Sequence, residues 1–564
     1  MHRYLKPLKS FYSLIKKHYF PLLILIYFFY SAAVIFQTSY IFHGTRYFSL
    51  SDDEMTGMRY AYNLAHGYGL VFNPNSEPIE GITNPLWVFF MAVFHLLPIP
   101  LEKISVFIQI SGAIFTAGAL YFIKKIAELI SKSAPLVVFS SLFLSAFYFP
   151  LINWNLVQGT EVSLLMLIIS WTTFLTLKSA KNKQFSPLLF LLLGIGTLIR
   201  MDFLLSAVIM VMFLFIADKK NRKKNILIGF SIPLVFIAVQ EVFRIWYYHD
   251  ILPNTYYQKM TGYPPLKRIA RGFYVALKSF SPNSISMNYS RVLQFFARIF
   301  ILIILITPFA YSFIKKNKQL MLLLGLFTAQ EIYSIYIGGD VWEYYGGANR
   351  FIAFTMPLFF ISLMVTLYSF RTTLKKYYSR FGNKYKIIEV IAIVMIFILL
   401  NRANQDELPR LFLIMKPTTV DINQVNQTRT KLAYDLKEVV TPNAKVAIAA
   451  SGLIPYFVHN YFCDTLGKSD RTIAHMPAIM DQKYPSIIKE YTSFQPGHMK
   501  WDYPHIVNDC KPDIFGDFYQ YPNEKNDKYI LSHGYVKMKS ADGQFPFFVL
   551  KGSPNVLTEK LIPQ

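Results

Sequence analysis

Residues 187–217 read PLLFLLLGIGTLIRMDFLLSAVIMVMFLFIA. A membrane-crossing helix needs about 20 apolar residues, and this run is longer than that. Its apolar character breaks near the middle, at Arg200-Met201-Asp202. Charges inside a bilayer are costly and normally face a cavity or a partner. The run is therefore expected to form two short membrane helices, 187–199 and 203–217, joined by a tight polar turn. A chain with such a turn builds a membrane domain around a polar site.

The remaining sequence fits that expectation. Of 564 residues, 53% are hydrophobic and only 16% are charged, against about 25% charged in a soluble domain. This composition excludes a disordered chain, and the presence of only two Cys excludes a disulfide scaffold. Further apolar segments lie at 19–42, 101–123, 134–152, 160–178, 225–246, 294–314, 319–337, 350–370 and 386–400. With the two short helices they make eleven expected spans. The first is too long, and lacks the small-residue cleavage site, to be a removable signal peptide; it reads as a signal anchor.

The net charge of +24 is unevenly placed. Residues 1–400 hold 38 Lys and Arg against 16 Asp and Glu, whereas 401–564 hold 19 against 17. A nucleic-acid-binding module would concentrate its charge in a soluble part. Here basic residues gather in short loops between spans, as in cytoplasmic loops of membrane proteins. They occur at Arg3–Lys17, Lys124–Lys132, Lys178–Lys183, Lys219–Lys224, Lys315–Lys318 and Arg371–Lys386. All six fall on the inner side if the apolar stretch 86–97 lies along the outer face without crossing. The N-terminus is then inside. The outer segments are 43–100, 247–293, 338–349 and the tail 401–564. Two domains are expected: a membrane domain over 1–400 and an extracytoplasmic α/β domain over 401–564.

Ionisable residues cluster toward the outer ends of the spans: Glu161, Arg200, Asp202, Glu241, Arg244, Glu331, Asp340, Glu343 and Arg350. Some are helix-end residues that can snorkel; together they indicate a shared, outward-opening cavity. The densest stretch is Ser51-Asp52-Asp53-Glu54, with Ser51 placed as an N-cap and three acids in a first helical turn. Acids there suit the helix dipole. The functional reading is a general base at the membrane surface, able to take a proton from an attacking hydroxyl. Turns follow at Gly67–Pro74 and Glu80–Trp87, with Trp87 expected at interfacial depth. The aromatic run Phe243–Tyr248 and Tyr256 suits either an interface belt or sugar stacking.

In the tail, Lys445–Ala450 reads as a strand before a turn at Ser451-Gly452. Tyr529–Lys539 and Phe545–Lys551 flank a hairpin turn at Ala541–Gly543. Cys463 and Cys510 are open to pairing or to standing as two thiols. His66, His95 and His249 have no metal-ligand spacing. No phosphate-binding glycine loop and no Gly-x-Ser-x-Gly elbow is present. No cofactor is expected, a divalent metal not being excluded.

Several strings together resemble the GT-C class of integral-membrane glycosyltransferases, in the branch of the mycobacterial terminal arabinofuranosyltransferases. They are Asp52-Asp53, Arg59-Tyr60-Ala61, Gly67–Val71, Asn73-Pro74, Glu80-Gly81, Thr83-Asn84, Gly159–Glu161, Thr197–Arg200, Leu252–Thr255, Lys259, Gly338–Asp340 and Arg350. In the tail they are Gly452, Pro455-Tyr456, Asp464, Leu466-Gly467, Pro496–His498 and Pro512-Asp513. Arg200-Met201-Asp202 stands where the family usually has Arg-Pro-Asp, and His249 where it has Gly. The resemblance implies transfer of a sugar from a polyprenyl-phosphate carrier to an envelope glycan, lipid or protein at the outer face of a bacterial inner membrane, with the tail periplasmic. It implies Asp53, with Asp52 second, as the base, and Arg200, Lys259 and Arg350 as donor-phosphate ligands. Substrate contacts would come from Arg59, Asn73, Glu80, Asn84, Glu161, Asp202, Asn254, Tyr256 and Asp340. The expected partners are the lipid-linked donor, the acceptor and the bilayer, with no nucleic acid. The alternative class is a lipid-linked-sugar transporter or flippase, which would place its polar residues near the midplane.

Overall fold

The computed structural model describes residues 2–279, 291–340, 349–378, 384–402, 421–480, 490–491, 493–519 and 524–564. Glu343, most of the 338–349 segment, and parts of 247–293 and of the Arg371–Lys386 loop lie outside the described residues, as does the start of the tail.

Each of the eleven apolar segments is largely helical, although the first stops at Gln37, short of the expected 42. Five helices are individually long and apolar enough to cross a membrane: His18–Gln37, Leu101–Ser131, Val162–Asn182, Arg222–Tyr248 and Lys318–Ile337. Pro135–Phe147 and Phe149–Val157 make a further pair bent by 50°. Pro187–Ile199, Phe203–Ala217, Ile299–Ile314 and Ile391–Asn401 are apolar but shorter. The chain is a multi-pass membrane protein. Proline opens several of these helices at their first position, at 85, 135 and 187, where its missing N–H has no intrahelical partner to lose. The two short helices meet at Arg200, whose extended backbone (φ −155°, ψ 132°) makes the expected turn.

The first outer segment carries the hairpin β1 (Tyr40–Phe42) and β2 (Thr45–Tyr47), then helices Asp52–Ala65 and Pro85–His95. The latter spans 11 residues, about 16 Å at 1.5 Å per residue, roughly half a hydrocarbon core.

The tail begins with helix Asp421–Val439 and builds one mixed sheet. Its strands are β3 (Lys445–Ile448), β4 (Tyr461–Asp464), β5 (Ile514–Phe515), β6 (Tyr535–Lys539), β7 (Pro546–Leu550) and β8 (Ile562–Pro563), in spatial order β4-β3-β5-β7-β6-β8. β3 runs parallel to β4 and β5, and the β3–β4 crossover is the buried helix Leu453–Val458. The expected hairpin is β6–β7. Its first arm starts later than the sequence suggested, because Glu524–Ser532 is helix.

Two of the four apolar clusters among the described residues hold most of the core. One fills the membrane helices. The other joins Met55, Met58, Tyr60 and Trp87 of the first outer segment to Leu432, Ile454, Tyr456 and Phe462 of the tail. Trp87 is therefore fully buried inside protein. Hydroxyl bonds reinforce the junction: Tyr40 meets Thr430 at 2.5 Å and Tyr47 meets Tyr434 at 2.6 Å. The tail is welded to the outer segment through one core.

Cys463 and Cys510 form a disulfide with a sequence separation of 47, tying β4 to the segment before β5. Disulfides persist in oxidising compartments. Thiol blocking of freshly isolated membranes should find the pair oxidised; two free thiols would place the tail in a reducing compartment. Replacing both by Ser should destabilise the tail by about 4 kcal/mol on loop-closure grounds, read as a lower denaturant midpoint.

Candidate active site

Helix Asp52–Ala65 starts with Ser51 at the N-cap position, but the Ser51 side chain makes no capping bond. The three acids that follow diverge instead of serving only the dipole. Successive helical residues point about 100° apart, so each enters a different environment.

Asp52 turns to the tail. Its carboxylate pairs with Arg429 at 3.1 Å and accepts the Leu453 N–H at 3.4 Å. Gly452 lies against it: a Cβ there would collide with the Asp52 carbonyl oxygen and sit 2.8 Å from its Oδ1.

Asp53 occupies the centre. Its Oδ1 is bonded by the Lys468 ammonium, and its Oδ2 lies 3.6 Å from the Arg350 guanidinium. Arg350 also pairs with Asp340 at 3.2 Å. Burial alone would raise Asp53, but Lys468, Arg350 and Lys259 together hold its carboxyl well below the usual range. Lys259 feels the same group of charges. Burial and the neighbouring Arg350 push it down to about 8, partly opposed by Asp53 and Asp340. His498 completes the upper layer. Burial and Lys468 push it down to about 4, so it is neutral, and its Nδ1 is buried without a hydrogen-bond partner. The Gly497 turn (φ +92°) approaches so closely that a Cβ there would lie 3.0 Å from the Lys259 stem.

Glu54 points to the floor. It is 3% exposed and its Oε2 has no hydrogen-bond partner. Burial and the nearby Glu161 raise it well above an ordinary carboxyl, favouring its protonated form. On that floor Arg200 bonds Asp202 at 2.8 Å and Glu161 at 3.1 Å. Asn84 donates to Glu161 at 3.0 Å. The Arg200 and Arg350 guanidinia lie 4.4 and 5.5 Å from the centre of the Phe351 ring, so floor and upper layer adjoin.

The structure thus brings together Asp53, Arg350, Lys259 and Asp340 above, and Arg200, Glu161, Asp202 and Asn84 below. The other expected site residues build the frame. Asn254 donates from Nδ2 to the carbonyls of Gly467 (2.8 Å) and Lys468 (2.9 Å), which fixes the loop bearing Lys468. Asn73 pairs twice with the Phe462 backbone, at 2.8 and 2.9 Å. Arg59 is fully buried and donates to Phe72 O (3.1 Å), Asn460 O (3.2 Å) and His459 (2.9 Å). Glu80 bonds Arg244 at 2.5 Å, and Arg244 also reaches Glu241. Tyr256 is half-buried beside Tyr336. In the aromatic run, the hydroxyls of Tyr247 and Tyr248 bind the Leu70 backbone, each at 3.0 Å.

The sequence does not mark Lys468 or His498 as site residues, and it names Glu54 only as one of three acids in a first helical turn. Lys468 directly follows Leu466-Gly467, and His498 ends Pro496-Gly497-His498. Both strings lie in the tail, and only the fold joins them to the membrane site. Among the described residues no group of three or more His, Cys, Asp or Glu converges as a metal site.

A domain family described as "Domain of unknown function (DUF8728)" matches residues 420–548. No curated protein matches the chain. Among solved structures, the Archaeoglobus fulgidus oligosaccharyltransferase tethered to an acceptor peptide is 12% identical over 98% of this chain and 77% of its own, with a TM-score of 0.52. AglB from the same archaeon, in complex with an inhibitory peptide and a dolichol-phosphate, is 11% identical over 98% and 77%, with a TM-score of 0.51. ArnT from Cupriavidus metallidurans, bound to undecaprenyl phosphate, is 10% identical over 95% and 98%, with a TM-score of 0.52. The chain has the GT-C fold: a helical membrane domain followed by a domain containing a sheet.

Gly452→Ala should force the tail away from the first turn of the Asp52 helix. Overpacking of this kind costs about 1–3 kcal/mol, to be read as a lower unfolding temperature of the purified protein and faster proteolysis of its tail.

Proposed function

We propose that this protein is a glycosyltransferase that moves a sugar from a polyprenyl-phosphate carrier to an envelope glycan, lipid or protein acceptor at the outer face of a bacterial inner membrane. The observation that carries the reading is the Asp53 carboxylate ringed by Lys468, Arg350 and Lys259. A base beside a cluster of cations suits a reaction in which an acceptor loses a proton while a phosphate leaves. The shared fold supports it, since two proteins of that fold were solved with dolichol-phosphate and undecaprenyl phosphate. The motif strings favour the arabinofuranosyltransferase branch.

The step balances as follows. The acceptor O–H gives its proton to an Asp53 oxygen as its oxygen bonds the anomeric carbon. The bond from that carbon to the phosphate oxygen breaks, and its electron pair leaves with the polyprenyl phosphate. Arg350 and Lys259 hold the phosphate. Arg200 stands behind Arg350, its charge shared between Glu161 and Asp202.

With the N-terminus inside, helix Pro187–Ile199 rises from the basic inner loop. Thirteen residues reach about 20 Å at 1.5 Å each, short of a hydrocarbon core of roughly 30 Å. The floor at its outer end then lies beyond the midplane but below the outer edge of the core, so the donor phosphate would have to enter through a polar cavity that opens outward.

Two outcomes test this. In a transfer assay with polyprenyl-phosphate sugars, Asp53→Asn should lower turnover by about 10²–10⁴-fold without weakening donor binding. Asp52→Asn should act through tail docking and cost less. Full activity in both variants would refute the mechanism. Undecaprenyl phosphate binding should also weaken as pH rises through about 8, where Lys259 loses its proton. Lys259→Arg should keep binding flat past that pH.

A further inference from the structure

Lys468 belongs to the tail, yet its ammonium reaches the centre of the site. Its loop is built to be rigid. The Asp464 carboxylate accepts the N–H groups of Leu466 (3.0 Å), Gly467 (3.2 Å) and Ser469 (2.8 Å). Asn254 donates to the carbonyls of Gly467, Lys468 and Asp470, and Gln258 to Leu466 O at 2.7 Å. Asn254 and Gln258 lie on helix Asn254–Met260, which also carries Lys259. One frame therefore presents both lysines. Among the described residues of the upper layer, the direct ion pairs join Arg350 and Lys468 to two carboxylates, Asp53 and Asp340, with Lys259 close by. Burying an excess of like charge is costly unless an anion arrives to share it. The Asp53 oxygen bonded to Lys468 is also poorly placed to receive a proton.

Resting on the function proposed above, we infer that Lys468 is a donor-phosphate ligand supplied by the tail, and that the arriving phosphate takes it over from Asp53. The base is thereby released toward the acceptor only when the donor is bound, so the donor binds first. A site without donor keeps its base occupied and cannot activate a stray hydroxyl.

The test titrates undecaprenyl phosphate, without sugar, into the full-length protein in detergent. Lys468→Met should weaken binding by at least about tenfold, the worth of one charge-assisted contact, and Lys468→Arg should restore most of it. Asp53→Asn should tighten binding, because the phosphate no longer competes with a carboxylate. In the double variant that gain should shrink by the part exerted through Lys468, leaving what Asp53 exerts through Arg350 and Lys259. If Lys468→Met unfolds, the Asp53→Asn arm decides: tightening supports the inference, and unchanged affinity overturns it. If Lys468→Met binds as the native chain does while Arg350→Gln and Lys259→Met weaken binding, Lys468 is a fixed strut; the inference falls and the functional reading stands. If the native chain does not bind undecaprenyl phosphate, both fall.

Discussion

Ionised groups at the edge of a hydrocarbon layer must find partners, and that constraint organises the outer half of this molecule. Arg200 is satisfied from within the membrane domain, by Glu161 and Asp202. Arg350 takes Asp340 from the preceding loop and leans toward Asp53. Asp53 bonds in addition to Lys468, a residue 415 positions away. Completing the charge pairing therefore requires the tail to dock. The apolar cluster shared by Met58, Trp87, Ile454 and Phe462 supplies the adhesion, and the ion pairs set the register.

The tail consequently contributes Lys468 and His498 to the candidate site. The domain of unknown function matched over residues 420–548 includes Lys468 and His498. Its sheet carries them only indirectly: β4 ends at Asp464, whose carboxylate organises the following loop. Helix Asn254–Met260 grips that loop from the membrane side. Lys500 adds a second grip, its buried ammonium bonding the carbonyls of Ala474 (2.6 Å) and Tyr257 (2.9 Å). A rigid frame of this kind suits a site in which misplacement by 1 Å is expensive.

Much of this was legible in the sequence because it is local. Apolar length fixes the helices, and the Arg200 interruption fixes the turn. The acids at 52–54 lie at a helix start, and the strand at 445 is a short apolar run. What was not legible depends on contacts between distant segments. Nothing near Lys468 marks it as a partner of Asp53. The role of Asn254 is likewise hidden, since an Asn that holds a loop reads like one that holds a sugar. The full burial of Trp87 is hidden too, since an apolar Trp suits a surface at interfacial depth as well as a core, and it is the docked tail that helps enclose it. The aromatic run suits a belt or a sugar platform, and within it the Tyr247 and Tyr248 hydroxyls are bonded to backbone while Trp246 stays exposed.

Three consecutive carboxyls show how much the surroundings decide. Asp52, Asp53 and Glu54 share one helical turn and one dipole, so local sequence gives them equal claims to be the base. Asp52 faces Arg429 and a backbone N–H across the tail interface and is held there. Glu54 faces Glu161 in a buried floor, and two carboxyls so placed do not both ionise readily. Asp53 alone of the three is central and surrounded by cations that a phosphate can also claim. The same charges that depress its basicity in the resting state are those a donor would occupy, so its strength as a base is set by what else is bound.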